Sequence, residues 1–124
     1  MKIRIKENSV RFRLTRSEVD QVCTKGSYVE HTEFDTAHFT YGITVKEDIS
    51  DLLADFMGNA VILYLPKQFA EAWQNSNRVG FERQIPLKNG KTLLALLEKD
   101  FVCMDDNSED QSDNYPNPQA EKLR

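Results

Sequence analysis

Residues 8–22, NSVRFRLTRSEVDQV, and residues 59–73, NAVILYLPKQFAEAW, carry the pattern that decides the fold. In both stretches apolar residues alternate over a strand and then recur at helical spacing. Shifting the first stretch by 51 positions aligns the apolar residues in four pairs: Val10 with Val61, Phe12 with Leu63, Leu14 with Leu65, and Val22 with Trp73. We therefore predict that the chain contains two similar units.

The first unit begins with a β-hairpin over residues 1–14, in which Glu7-Asn8-Ser9 forms the turn. Thr15 and Glu18 have the spacing of a capping box, which predicts a helix that ends at Gly26. Residues 28–33 and 38–45 then read as two further strands. The predicted order is strand, polar turn, strand, helix, strand, strand.

The second unit is predicted to repeat this order. Residues 51–57 fit either a strand or one helical turn, and we favour the strand because Gly58-Asn59 makes a suitable two-residue turn into a strand over 60–65. A helix then runs from Pro66 to the Asn75-Ser76-Asn77 break. A closing hairpin follows, formed by residues 79–87 and 91–99.

These elements predict an α+β fold with duplicated ββαββ units, a mainly antiparallel sheet and two short helices. We expect the half-buried sheets of the two units to pair, or to continue as one sheet, around a common core. Residues 1–104 are predicted to form a single α+β domain. Residues 105–124 are predicted to be an acidic, proline-containing C-terminal tail, either solvated or docked on the domain.

The composition is that of a folded globular protein, with 40% apolar and 29% charged residues among 124. No stretch approaches the roughly 18 apolar residues of a membrane span. The first six residues alternate charge and bulk, unlike a secretory signal, and Cys23 and Cys103 are too few for a disulfide framework, so we read both as buried. We therefore predict a cytoplasmic protein. The pI near 5.2 argues against general nucleic-acid binding.

The acidic tail supports three hypotheses. Its candidate residues are Asp105, Asp106, Glu109, Asp110, Asp113 and Tyr115. In the first hypothesis the tail is simply solvated, and in the second it clasps the basic face of the first hairpin with Tyr115 as an apolar anchor. In the third its carboxylates bind a divalent cation, but the spacing does not match an EF-hand, and we predict no metal site.

The first hairpin presents basic side chains on its outward face. The anion-binding candidates are Arg4, Lys6, Arg11 and Arg13, and Lys2 shares their alternation. Such a surface can bind polyphosphate or nucleic-acid phosphates, although an alternating charged outer face is also ordinary for a sheet. The hairpin resembles the opening of the triphosphate-tunnel hydrolases over about its first fourteen residues. Where those enzymes rely on glutamates for metal, this strand has lysine and arginine.

Other constellations give weaker indications of chemistry. His31 and His38 flank a predicted turn and could bind zinc with Glu33, Asp35 or Cys103, but solvated histidines are the favoured interpretation. The sequence contains no glycine-rich phosphate loop or hydrolase motif, and no cofactor is predicted. Glu98-Lys99-Asp100 places acid and base together at the end of the last strand.

The chain also resembles a family of small bacterial proteins of unknown function. The likeness lies in MKIRIK with VRFRLTRSEV near the N-terminus, and in EKDFVC followed by EDQSDNYPNP near the C-terminus. It spans nearly the whole chain, and the closing segment is its most specific part. It implies a bacterial cytoplasmic protein whose tail belongs to the native unit, and it supplies no site.

The sequence leaves the biochemical function unknown. We favour a non-enzymatic binding or regulatory module of the bacterial cytoplasm. The alternative is an anion- or polyphosphate-binding enzyme that uses the basic strand face with acids such as Glu98. A homodimer through an exposed sheet edge is a further possibility.

Overall fold

The computed structural model of the chain describes residues 1–101 and 113–116. Within these residues the elements follow one another as eight strands and two helices: β1 (Lys2–Lys6), β2 (Ser9–Leu14), α1 (Arg16–Lys25), β3 (Ser27–Glu33), β4 (His38–Lys46), β5 (Leu53–Met57), β6 (Ala60–Pro66), α2 (Lys67–Trp73), β7 (Gly80–Pro86) and β8 (Thr92–Lys99). The predicted α+β class with two short helices is confirmed. Residues 51–57 supply strand β5 and no helical turn, as favoured.

The strands form two four-stranded sheets, each built from both units. Sheet A has the order β1-β2-β8-β7, and sheet B has the order β3-β4-β6-β5. The hairpin strands pair antiparallel, whereas β2 with β8 and β4 with β6 pair parallel at the centre of each sheet. Each sheet therefore continues from one unit into the other. The first hairpin of each unit lies in the same sheet as the last hairpin of the other unit.

The strand registers repeat between the two sheets. Leu14 lies opposite Lys99 in sheet A, and Leu65 lies opposite Val45 in sheet B. Since Leu65 is the counterpart of Leu14 in the sequence repeat, Lys99 occupies the position that Val45 occupies in the other sheet. The two halves thus agree in pairing as well as in the order of their elements.

One hydrophobic core joins the two sheets and both helices. Its fully buried side chains include Phe12 and Leu97 of sheet A, Leu63 of sheet B, Val22 of α1 and Trp73 of α2. Burying an aliphatic side chain of this size stabilises the fold by about 1.5–3 kcal/mol. The aligned apolar positions of the sequence repeat are therefore the positions that hold the sheets together.

The ends of helix α1 follow the predicted signals. Glu18 accepts a hydrogen bond from the Thr15 N–H at 2.8 Å, which satisfies a backbone donor at the N-terminus. At the other end, Gly26 adopts a φ of 86°, and its N–H donates to the Val22 carbonyl at 3.0 Å. Cys23, which we predicted to be buried, is partly buried against the core, and its thiol donates to the Ala70 carbonyl at 3.3 Å.

Candidate functional site

A basic face lies on the outer side of sheet A, and we define it as Lys2, Arg4, Lys6, Arg11 and Arg13. The strand register places Lys2 opposite Arg13 and Arg4 opposite Arg11. The alternate residues of β2, Val10, Phe12 and Leu14, are buried in the core, so the basic side chains project away from it. All four anion-binding candidates predicted from the sequence therefore share one surface.

The cross-strand pairs on the basic face unite like charges. Arg4 and Arg11 are direct neighbours across β1 and β2, and Lys2 and Arg13 form a second such pair two residues along. Like charges directly opposite each other in a sheet destabilise it by several tenths of a kcal/mol per pair. A cavity of about 310 Å³ lies among these side chains and Ile3. The arrangement concentrates positive charge around a space that a small anion could occupy.

Two carboxylates compensate part of this charge. Glu98 of β8 lies between two arginines, with Oε1 at 3.0 Å from Arg11 Nε and 3.7 Å from Arg13 Nε. The buried Asp100 lies 3.3 Å from Lys2 Nζ. Within the described residues, Arg4 and Lys6 have no ion-pair partner, so their side chains are the uncompensated part of the basic face.

The described part of the tail, residues 113–116, contacts the first turn of α1 and the segment that follows β8. Asp113 accepts hydrogen bonds from the backbone N–H and hydroxyl of Ser17 in the first turn of α1, and its carbonyl accepts from the Arg16 N–H at 3.0 Å. The Ser17 hydrogen bond lowers the pKa of the Asp113 carboxyl. The predicted clasp residues Asp105, Asp106, Glu109 and Asp110 lie outside the described residues. The clasp on the basic face stays a prediction.

Tyr115 connects the tail to the end of strand β8. Its N–H donates to the Asp100 carbonyl at 2.8 Å, and it forms a parallel bridge with Phe101. The guanidinium of Arg16 and the ammonium of Lys99 lie 5.2 Å and 5.1 Å from the centre of its ring. Tyr115 thus makes cation–π contacts with two basic residues while its backbone pairs with the segment that follows β8.

Lys99 is the one lysine among the described residues whose side chain is buried, with 5% exposure. It alternates with Leu97 along β8 and so faces the core. Its Nζ donates to the Ser76 carbonyl at 2.7 Å and lies 6.0 Å from the ring centre of Trp73. Burial lowers the pKa of this amine. The sequence contained a signal for this residue, because the inward alternation of β8 continues through Leu97 to a lysine, but we read Lys99 only as part of a charged strand end.

A cavity of about 330 Å³ adjoins Lys99. Its lining consists of Gln74, Ser76, Asn77, Val79, Lys99, Phe101, Tyr115 and Pro116. The Tyr115 hydroxyl is buried and has no hydrogen-bond partner among the residues that the structure describes. Burial raises the pKa of this phenol to about 12, so it remains a neutral potential donor. A basic and a phenolic side chain therefore meet at one small cavity.

The two histidines meet across the β3–β4 hairpin. Their rings are in an edge-to-face arrangement with centres 5.2 Å apart, and His31 Nδ1 lies 2.8 Å from the Thr40 hydroxyl. In residues 1–101 and 113–116, no group of three or more histidine, cysteine or acidic side chains is placed to hold a metal ion. Cys103, the distant zinc ligand considered above, lies outside these ranges.

The edge strands are β1 and β7 in sheet A and β3 and β5 in sheet B. Ile5 on β1 and Phe56 and Met57 on β5 are 61%, 71% and 72% exposed. These apolar side chains lie on edges where another chain could pair. The homodimer stays a prediction.

These features define a small α+β protein with repeated ββαββ units, whose most concentrated candidate site is a cationic sheet face. The chain belongs to a protein family of unknown function, DUF7009, whose family model matches residues 1–119. No curated protein and no solved structure shows a significant match to it. In the part of the chain that the structure describes, neither helix has the length and apolar character required to cross a membrane.

Proposed function

We propose that this protein is a binding module whose basic face recognises a phosphate-bearing polyanion, such as polyphosphate or a nucleoside triphosphate. The observation that carries the proposal is the direct pairing of Arg4 with Arg11 across β1 and β2. A pair of like charges destabilises an isolated sheet, and a bound polyanion would turn that repulsion into attraction. The neighbouring pair of Lys2 and Arg13 would extend the same contact surface.

The chemistry of the side chains suits phosphate groups. Arginine presents a planar fork of N–H donors that matches phosphate oxygens, and lysine contributes a mobile point charge. Arg4 and Lys6 have no carboxylate partner within the described residues, so binding there need not break an existing ion pair. The cavity of about 310 Å³ would admit a short phosphate chain without a rearrangement of the strands.

The alternative is a polyphosphate-binding enzyme that uses Glu98 on the same face. Glu98 is paired with Arg11 and Arg13 at 3.0 Å and 3.7 Å. These contacts give Glu98 the role of orienting the two arginines. The contacts therefore support the non-enzymatic interpretation, and a turnover measurement separates the two.

The test is a thermal-shift titration of the full chain with tripolyphosphate and ATP, with and without Mg²⁺, at low and high salt. We expect tripolyphosphate at 100 times its dissociation constant to stabilise the protein by about 2.7 kcal/mol. The effect should weaken in high salt because these charges are exposed. Arg4→Gln and Arg11→Gln should remove most of the shift, whereas Lys25→Gln, at the exposed end of α1 next to sheet B, should retain it. Equal shifts in all variants would refute the proposed site, and phosphate release would favour the enzyme.

We also propose that residues 1–104 form the folded domain and that residues 105–124 form an acidic tail docked through residues 113–116. The contacts of Asp113 with Ser17 and of Tyr115 with Asp100 support this division. A location in the bacterial cytoplasm is part of the same proposal. The free thiol of Cys23 fits a reducing compartment. Limited proteolysis that cleaves within 105–112 as slowly as within the domain would contradict the division.

A further inference from the structure

Lys99 occupies a position that the fold reserves for an apolar side chain. Its counterpart in sheet B is Val45, which packs against the core opposite Leu65 as Lys99 lies opposite Leu14. A valine would satisfy the packing at this end of β8. An amine buried there destabilises the fold unless it finds compensation, because transferring a charge out of water is unfavourable. A functional explanation is therefore required for the lysine.

The compensation that Lys99 receives is incomplete. An ammonium has three N–H donors, and within the described residues Nζ donates to a single acceptor, the Ser76 carbonyl. No carboxylate among these residues lies within ion-pair distance of Nζ. The rings of Tyr115 and Trp73 contribute cation–π contacts at 5.1 Å and 6.0 Å, which compensate a buried charge only partly.

The adjoining cavity also has a polar group that lacks a partner within the described residues. Tyr115 lines the cavity with Lys99, and its buried hydroxyl makes no hydrogen bond within the described residues. Buried polar groups without partners are uncommon in folded proteins and indicate a site for water or a ligand. The walls combine the apolar surfaces of Phe101 and Val79 with the side-chain amides of Gln74 and Asn77. A ligand that suits these walls has an apolar body and one anionic end.

We propose that the cavity beside Lys99 binds a small organic carboxylate, with the ligand's carboxylate accepting hydrogen bonds from the Lys99 ammonium and the Tyr115 hydroxyl. The cavity volume of about 330 Å³ lies at the lower end of the range of ligand sites, which is about 300–1,000 Å³. This suits a body of the size of one aromatic ring. The site is separate from the basic face and does not depend on the function proposed for that face.

The test compares benzoate with benzamide, which has the same ring and no charge, on the full chain by thermal shift and calorimetry. We expect benzoate to raise the unfolding midpoint by about 8–16 °C at 100 times its dissociation constant, and benzamide to leave it unchanged. Lys99→Met should abolish the benzoate shift. Tyr115→Phe should weaken binding roughly threefold to tenfold, the equivalent of one hydrogen bond. Arg4→Gln, on the basic face, should bind benzoate as the unmodified chain does.

Two results would overturn the proposal. One is an equal response to benzoate and benzamide, and the other is a benzoate shift that survives in Lys99→Met. If Lys99→Met fails to fold, titration of the Lys99 side chain by NMR in ¹³C-lysine-labelled protein replaces it, with Lys99→Arg used to assign the signal. Bound carboxylate should then raise the pKa of Lys99, and an unchanged pKa at saturating benzoate would refute the site.

Discussion

Arg4→Glu should stabilise the protein in the absence of ligand while abolishing the binding of polyphosphate. The substitution converts the direct cross-strand pair of Arg4 and Arg11 from like to opposite charge. Cross-strand charge pairs contribute roughly 0.2–1 kcal/mol in either direction. Arg4 is exposed and Arg11 already contacts Glu98 at 3.0 Å, so we use the lower part of that range. We count it twice, because the substitution removes a repulsion and also adds an attraction.

The expected gain is therefore about 0.5–1 kcal/mol, or roughly 2–4 °C in unfolding midpoint for a chain of this size. The assay is urea denaturation at low ionic strength in a buffer free of phosphate. Lys6→Glu is the matched control, because it changes the net charge equally but faces Ser9, so it relieves no repulsion between paired cations. The gain should shrink in 1 M salt. An equal gain in stability in Lys6→Glu, or a loss of stability in Arg4→Glu, would refute the claim that Arg4 and Arg11 repel each other as direct cross-strand neighbours.

Three further changes address other parts of the structure. Gly80→Ala should destabilise the protein by about 1–3 kcal/mol in urea denaturation, because its Cβ would lie 1.9 Å from a carbonyl oxygen of β8, whereas Glu82→Ala on the same strand should change little. Lys99→Met should raise the unfolding midpoint at pH 7. Since the pKa of Lys99 is lowered in the folded state, the gain in stability from Lys99→Met should be full below that pKa and should diminish as the pH rises towards about 10.4, the pKa in the unfolded state. A gain in stability that does not depend on pH would contradict this. Asp113→Asn should slightly destabilise the protein at pH 7. Because the pKa of Asp113 is lowered in the folded state, the difference in stability between the variant and the unmodified chain should vanish as the pH falls from about 3.9 through the folded-state pKa. If calorimetry finds the same difference at pH 7 and pH 2, the contact of Asp113 with α1 is contradicted.

The local elements could be predicted from the sequence because each has its own signal. The alternation of Val10, Phe12 and Leu14 identified β2, and the spacing of Thr15 and Glu18 identified the start of α1. The parallel pairing of β2 with β8 has no such signal. It joins strands about 80 residues apart, and it depends on how the two units share a core, which local periodicity does not encode.

The two candidate sites, the basic face and the cavity beside Lys99, also differ in how far the sequence could predict them. The basic face was predictable because alternation alone places its residues on one side of a hairpin. The cavity beside Lys99 was not, because it joins β8, the segment after α2 and residues 115–116. Only the fold shows that Lys99 is an inward residue and that Tyr115 lies against it. The sequence could have indicated that Lys99 points inward, since Leu97 and Lys99 share one face of the strand.

A comparison of the two repeated units separates positions that are needed for packing from positions that are not. Where the two units must fill the same core, they agree, as at Val10 and Val61 or Leu14 and Leu65. They differ on the outer faces, where Arg4 and Arg11 correspond to Asp55 and Ile62 of sheet B under the same 51-residue shift. The fold tolerates an acidic or apolar residue at those places, so neither arginine is needed to form a sheet of this topology. The inward Lys99 departs further, because it replaces an apolar residue in the core at a cost in stability. At these positions the difference between the two units is not explained by the packing of the fold, which makes them the first positions to test for binding.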